Sequence, residues 1–139
     1  MERIDTLVQK YAEIVNKHYQ WLHAHPELSG EEKESAAYIA AQLRKMGLEP
    51  TENVGGYGVT AVIEGTGEGK CVALRADFDA LPMQEDPCNT KQPKVCVSKN
   101  NGVAHTCGHD THAAMLLASA RLLHAHREEF AGRVVLYFE

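Results

Sequence analysis

Apolar side chains recur mostly three or four positions apart through the first part of the chain, at Ile4, Leu7, Val8, Tyr11, Ile14, Val15 and Leu22. That period predicts an amphipathic helix over residues 2–24. Pro26 ends it, because proline lacks a backbone donor and restricts the residue before it. In "SGEE", Ser29 and Glu32 have the spacing of a capping box. They open a second helix that runs to about Met46, with Gly47 as a left-handed terminator. The period then shortens to two. "YGVTAVIEG" sets Val59, Ala61 and Ile63 against Thr60, Val62 and Glu64, "KCVALRAD" is a second such run, and "GTGEG" between them reads as a hairpin loop. "RVVLYFE", at the end, is a short apolar run suited to a buried strand. Residues 111–127 form a third helix, with Asp110 as its N-cap and Ala113, Met115, Leu116, Ala120, Leu122 and Leu123 as its apolar body.

Residues 80–106 break the pattern. They carry Pro82, Pro87 and Pro93 and no period, and so long an unstructured loop is either functional or misassigned. The order helix, helix, strands, loop, helix, strand predicts an α/β fold with a mixed sheet covered by helices. Ligands in such folds gather beyond the carboxyl ends of strands, and Asp77 and Asp79 follow a strand ending near Arg75.

Composition narrows the function. The chain has 139 residues, 44% hydrophobic and 24% charged, which suits one domain with a real core. The net charge of −5 argues against nucleic acid or an anionic membrane as partner. The charged start, "MERIDTLVQK", has no apolar core of signal-peptide length, and no run approaches the roughly 18 apolar residues of a membrane span. A cytoplasmic protein is expected. Cys71, Cys88, Cys96 and Cys107 form no C-x-x-C pair, so neither a zinc ribbon nor a thioredoxin motif is indicated.

The chemistry concentrates in "HTCGHDTH", residues 105–112. Cys107 and His109 flank Gly108, and a glycine lets the backbone bend so that both side chains converge. Thiolate and imidazole suit zinc and related divalent ions. A buried cysteine beside loop histidines is the competing interpretation. His105 is a candidate supporting residue that holds a ligand in place. His112 reads as structural, and His124 and His126 suit a helix C-terminus. Asp77 and Asp79 are either partners of a metal site or strand-ending turn residues. "GGYGV" and "GTGEGK" lack the spacing of a P-loop, and "HAHPELS" reads as a helix stop followed by a cap.

"WLHAHPELSGEE", "ALRADFDALPMQE" and "GVAHTCGHDTHAAMLLASARLL", in this order, resemble the metal-dependent amidohydrolases: hippurate hydrolase, N-acyl-amino-acid amidohydrolases, N-acetyldiaminopimelate deacetylase and the auxin-conjugate hydrolases. The resemblance runs from about residue 15 to the end. It implies that residues 1–139 are the N-terminal portion of a zinc-peptidase-like catalytic domain, without the smaller lid and dimerisation domain. It implies Cys107 and His109 as ligands of a two-metal centre (manganese, zinc, cobalt or nickel), with the sulfur bridging the ions. Asp79 is implied as the catalytic residue that orients the site, and Asp77 receives no ligand role.

Two departures stand out. The loop from Glu85 to Ser98 is longer than the family pattern and carries Cys88 and Cys96, which raises the option of a private disulfide or extra metal site. Glu139 holds the glutamine position of a Q-P-A-E-E pattern whose glutamates are the general base and a ligand. The implied reaction is hydrolysis of an N-acyl amino acid or short peptide, the metals acidifying a water and polarising the carbonyl and a glutamate moving the proton. Two protein ligands are too few for a tight dinuclear site, so these residues alone are expected to be inactive. The alternative is a non-catalytic metal-binding or interaction module. A homo-oligomer, or the remainder of the enzyme, is the expected partner.

Overall fold

A computed structural model describes residues 4–139. The first residues of the predicted helix, 2 and 3, lie outside the described residues. From Ile4 onward the helix forms as expected, as α1 (Ile4–Ala24), followed by α2 (Lys33–Lys45), β1 (Thr51–Val54), β2 (Gly58–Glu64), β3 (Cys71–Ala76), α3 (His109–Ala125), a 3-10 turn (Arg127–Glu129) and β4 (Arg133–Phe138). The four strands form one sheet in the order β1-β2-β4-β3. β4 runs antiparallel to β2 and parallel to β3.

The fold class is the expected α/β, with a mixed sheet. The hairpin expected across "GTGEG" does not form, because β4 lies between β2 and β3. That segment instead bonds to the approach to β4, Gly65 N donating to Gly132 O at 2.8 Å and Thr66 N to Phe130 O at 2.8 Å. The hairpin that does form joins β1 to β2 through Gly55 and Gly56. β1 carries no apolar alternation and was not anticipated.

Helices cover one face of the sheet. Val59, Ala61 and Ile63 of β2 and Val134, Leu136 and Phe138 of β4 share a core with Ile39, Ala40 and Leu43 of α2 and Ala113, Leu117 and Ala120 of α3. Each fully buried Leu, Ile or Phe side chain contributes about 1.5–3 kcal/mol. α2 and α3 rest on the sheet, and α1 packs on α3. On the opposite face Val62, Val135 and Ala73 form one cross-strand row and Thr60, Tyr137 and Arg75 another. Val62 and Tyr137 there are exposed.

The ends of α2 are built differently from one another. Gly47, at φ +89°, closes the C-terminus as expected. Its N–H donates to Arg44 O at 3.0 Å and that of Leu48 to Leu43 O at 3.1 Å. Leu43 and Leu48 are both in the core, which completes a Schellman motif. The N-terminus corrects the expected capping box. Glu32 precedes the helix without any side-chain cap. The cap comes from Glu27, whose Oε1 accepts from Glu34 N at 2.9 Å and Oε2 from Ser35 N at 2.7 Å. A carboxylate reaches both donors at once and sits favourably against the helix dipole.

α3 also differs at its start. It begins at His109, two residues earlier than expected, and its N-cap is Gly108 rather than Asp110. It ends at Ala125, two residues before the expected limit. The long segment 80–106 has no helix or strand but is tied down throughout. Leu81 and Ala104 exchange backbone bonds at 3.0 Å, and Lys99 N donates to Ala24 O at 2.9 Å.

His18 is buried between helices, with Nδ1 2.9 Å from the Tyr38 hydroxyl. Burial, then the charges of Lys17, Arg121 and Lys45, push its pKa down to about 4. Burial pushes Tyr38 up to about 12.

Two outcomes follow. Glu27→Ala lowers unfolding free energy by about 0.5–2 kcal/mol, the range for a lost N-cap, and Glu27→Gln by less; urea unfolding reads both. The unfolded chain binds a proton at His18 below about pH 6.5 that the folded chain refuses until about pH 4. Stability therefore falls as pH drops through that window. His18→Asn flattens that part of the pH profile of the urea midpoint, and a profile identical to wild type would exclude the assignment.

Candidate metal centre

Beyond β3 the backbone stays extended, and the parallel ladder continues for one more step. Glu139 N donates to Ala76 O at 3.0 Å and Phe78 N to Glu139 O at 2.9 Å. Phe78 is 1% exposed. In an extended chain, alternate residues face opposite ways, so burying Phe78 turns Asp77 and Asp79 together toward the other side. Opposite them stands the first turn of α3. Gly108 has φ +103°, a conformation that costs an L side chain strain. Its carbonyl accepts the first helical bonds, from Thr111 N at 3.0 Å and His112 N at 3.1 Å. His109 and His112, three apart, then share one face.

The two pairs meet. His109 Nδ1 lies 2.7 Å from Asp79 Oδ1, and His112 Nδ1 lies 2.7 Å from Asp77 Oδ1. Ionised carboxylates only accept, so each imidazole donates through Nδ1–H. His109 Nε2 faces Asp77 Oδ2 at 3.4 Å, beyond ordinary hydrogen-bonding distance. The two rings stack at 5.7 Å between centroids. Burial acts to raise the Asp77 carboxyl, but the hydrogen bond from His112 and the charge of His109 outweigh it and hold it below its usual value. Arg75 donates through Nε to Glu139 Oε1 at 2.6 Å, so Glu139 is engaged beside the same edge.

Of the residues singled out in the sequence, His109 and Asp79 are thus brought into direct contact. Cys107 lies two residues before His109, exposed and with a free thiol. His105 is buried, and neither ring nitrogen has a partner among the described residues. Burial pushes its pKa down. His126 bonds Glu129 at 2.6 Å, at the surface. The Cys88–Cys96 disulfide option is not met. Cys88 pairs with Pro93 in an isolated antiparallel bridge. Both thiols are free, and that of Cys96 donates to Gln20 O at 3.3 Å.

Two arrangements escaped the sequence reading. Asp77 and His112 form a pair that the i, i+2 and i, i+3 spacings could have signalled. His23, read as part of a helix stop, is 7% exposed and sits between two carboxylates, Asp110 at 2.7 Å and Glu85 at 3.0 Å. Its neighbour His25 donates to Trp21 O at 2.7 Å and stacks on that indole.

The donor chemistry fits part of a metal centre. A carboxylate on Nδ1 fixes the tautomer whose Nε2 lone pair can bind a cation, and an exposed thiol stands two residues away. Among the described residues, no group of three or more His, Cys, Asp or Glu side chains is disposed to hold a metal ion.

Residues 73–139 match the model of Peptidase family M20/M25/M40. The chain is 44% identical over 135 residues to YhaA of Bacillus subtilis (strain 168), covering 97% of this chain and 32% of that protein. It is 38% identical over 138 residues to the N-acyl-L-amino acid amidohydrolase of Geobacillus stearothermophilus, covering 99% and 36%. Among solved structures it superposes on Bacillus subtilis YXEP, described as a dinuclear metal binding peptidase from the M20 family, with a TM-score of 0.82 and 35% identity over 94% of this chain and 35% of that one. The chain spans about a third of the length of the relatives it matches. By its three sequence motifs, its sheet order and these matches, the chain is similar to the amidohydrolases and peptidases of family M20/M25/M40.

Proposed function

We propose that the chain forms part of the catalytic domain of a metal-dependent amidohydrolase that cleaves the amide bond of N-acyl amino acids. One observation carries this reading: Asp79 holds Nδ1 of His109 at 2.7 Å, on a turn opened by Gly108 and adjoining the exposed Cys107. Cys107 and His109 are the residues of this chain that would hold metal, and Asp79 is the residue that orients His109. Divalent ions bound there would supply positive charge that polarises an amide carbonyl and acidifies a water.

The roles of this chain's own groups follow from their chemistry. Asp79 keeps the His109 proton on Nδ1 and strengthens the ring as a donor. Asp77 accepts from His112 and faces His109 Nε2, so its carboxylate places negative charge where a cation would arrive. None of the side chains at this edge is both free and placed as a general base. Glu139 is engaged by Arg75, and Asp77 and Asp79 each accept from an imidazole. The proton-transferring carboxylate is the glutamate that the resemblance implies in the Q-P-A-E-E pattern, of which Glu139 holds the first position. The fold relatives include an N-acetyl-L-cysteine deacetylase and an N-acyl-L-amino acid amidohydrolase, which supports small acylated amino acids as the substrate class. No helix among the described residues is long and apolar enough to cross a membrane.

Cobalt(II) titration tests the site. Wild-type chain develops a thiolate-to-cobalt absorption band that Cys107→Ser abolishes. Asp79→Asn weakens cobalt affinity about 10–100-fold, the usual cost of losing a residue that orients a ligand. In the complete enzyme, release of free amino acid from N-acyl amino acids stops on chelation, returns with manganese or zinc, and is lost in Cys107→Ser. Activity unaffected by chelation, or by that substitution, would overturn the reading.

A further inference from the structure

One buried polar assembly takes no part in the site described above. Asp110 follows His109, about 100° further around the helix axis, and its side chain turns to α1 rather than to the tip of β3. There, His23 Nδ1 lies 2.7 Å from Asp110 Oδ2, and His23 Nε2 lies 3.0 Å from Glu85 Oε1. Ionised carboxylates only accept, so with both partners ionised each ring nitrogen of His23 donates. Glu85 also accepts from Lys94 Nζ at 3.0 Å and, through Oε2, from Ser98 N at 2.6 Å. The series Asp110, His23, Glu85, Lys94 alternates in sign and sums to zero. Asp110 is 2% and His23 7% exposed, and charges so buried persist only when paired in this way.

The bond to Asp110 raises the His23 pKa, against the effect of burial and with help from Glu85. At Glu85 burial works the other way, but the bonds from Ser98, His23 and Lys94 outweigh it and lower the carboxyl. The ionised state inferred from donor and acceptor roles is thus the one that the surroundings favour.

We propose that His23 is a positioning residue for the 107–109 turn, acting through Asp110. The later turns of α3 are held by core residues such as Ala113, Leu117 and Ala120, and its first turn is gripped at two points that face different ways. In α3 one grip is Asp79 on His109, from the strand side. The other is His23 on Asp110, from the α1 side, and Asp110 is held again by its own Oδ1, which accepts from Thr111 N at 2.8 Å. Remove the second grip and the first turn is held only by Asp79 and the packing of the later turns, so that His109 meets Asp79 less squarely. Through Glu85 the same grip extends to the 80–106 segment, tying that loop to the candidate metal centre. The inference builds on the assignment of His109 under Proposed function, but its geometry requires no metal.

The test reads the His109 ring itself. Long-range proton–nitrogen NMR on metal-free chain shows wild-type His109 as a single Nδ1–H tautomer. In His23→Leu, which keeps bulk and removes both donors, it becomes a mixture of tautomers. If His23→Leu does not fold, Asp110→Asn, nearly identical in shape, probes the same grip. Cobalt(II) affinity falls about tenfold in the same variants. A folded variant with lower thermal stability but an unchanged Nδ1–H tautomer overturns the proposal, leaving His23 a purely structural residue. A wild-type His109 that is not Nδ1–H overturns it as well. Absence of a thiolate-to-cobalt band in the wild type would instead remove the metal assignment, while the tautomer measurement still decides the role of His23.

Discussion

The site depends on a single non-local pairing, that of β3 with β4. Among the described residues, β4 lies between β2 and β3 and is the only strand that pairs with β3. The tip of β3 is held in line by the last residues of β4, through the Ala76–Glu139–Phe78 backbone bonds. Those bonds keep the chain extended past the end of the strand, and the extension alone puts Asp77 and Asp79 on one side with Phe78 buried on the other. Without β4, β3 would have no ladder, and the two carboxylates would have no fixed direction relative to α3.

A second constraint meets the first at the start of α3. Two residues apart on an extended chain means the same side; three apart on a helix means the same face. The Asp77/Asp79 and His109/His112 pairs match because these two periods face each other across one gap. Gly108, with its left-handed backbone, makes the helix start early enough for His109 to fall in its first turn. Had the helix begun at residue 111, as the sequence suggested, His109 would lie in the preceding loop and the match would be lost.

Much of this was legible residue by residue, and the failures have a common cause. α1, α2 and α3 announce themselves because an amphipathic helix writes its own period into the chain. The Schellman closure at Gly47 is equally local. Strand alternation identifies β2, β3 and β4 but is silent about which strand pairs with which, so adjacency in sequence suggested a hairpin where β4 intervenes. β1 is short and polar, with no residue fully buried, and so leaves no pattern. The Glu27 cap reaches α2 from outside the positions where capping residues are normally sought. Asp110 has the right chemistry for an N-cap, but its carboxylate is committed to His23, 87 positions away in sequence, and only the packed helices reveal that. The sequence motifs drew attention to His109 and Asp79, which the fold brings together across 30 positions of sequence. They passed over His23 and the pairing of Asp77 with His112, whose significance comes from partners the chain brings in from a distance.

The contrast between the two carboxylate–imidazole systems bears on how such a site works. The His112 side chain is 52% exposed and its Asp77 partner 22%; pairs so open to solvent contribute little to stability, typically less than about 1 kcal/mol. His23 and Asp110 are enclosed, and breaking such a pair by removing one partner strands a buried charge. The His112–Asp77 pair can therefore exchange partners at small cost when a ligand arrives, whereas the buried series cannot. A turn that must accept a ligand without losing its own shape needs both: a yielding face toward solvent and an unyielding one toward the core. His112 and Asp110, two apart on α3 and facing nearly opposite ways, divide those two requirements between them.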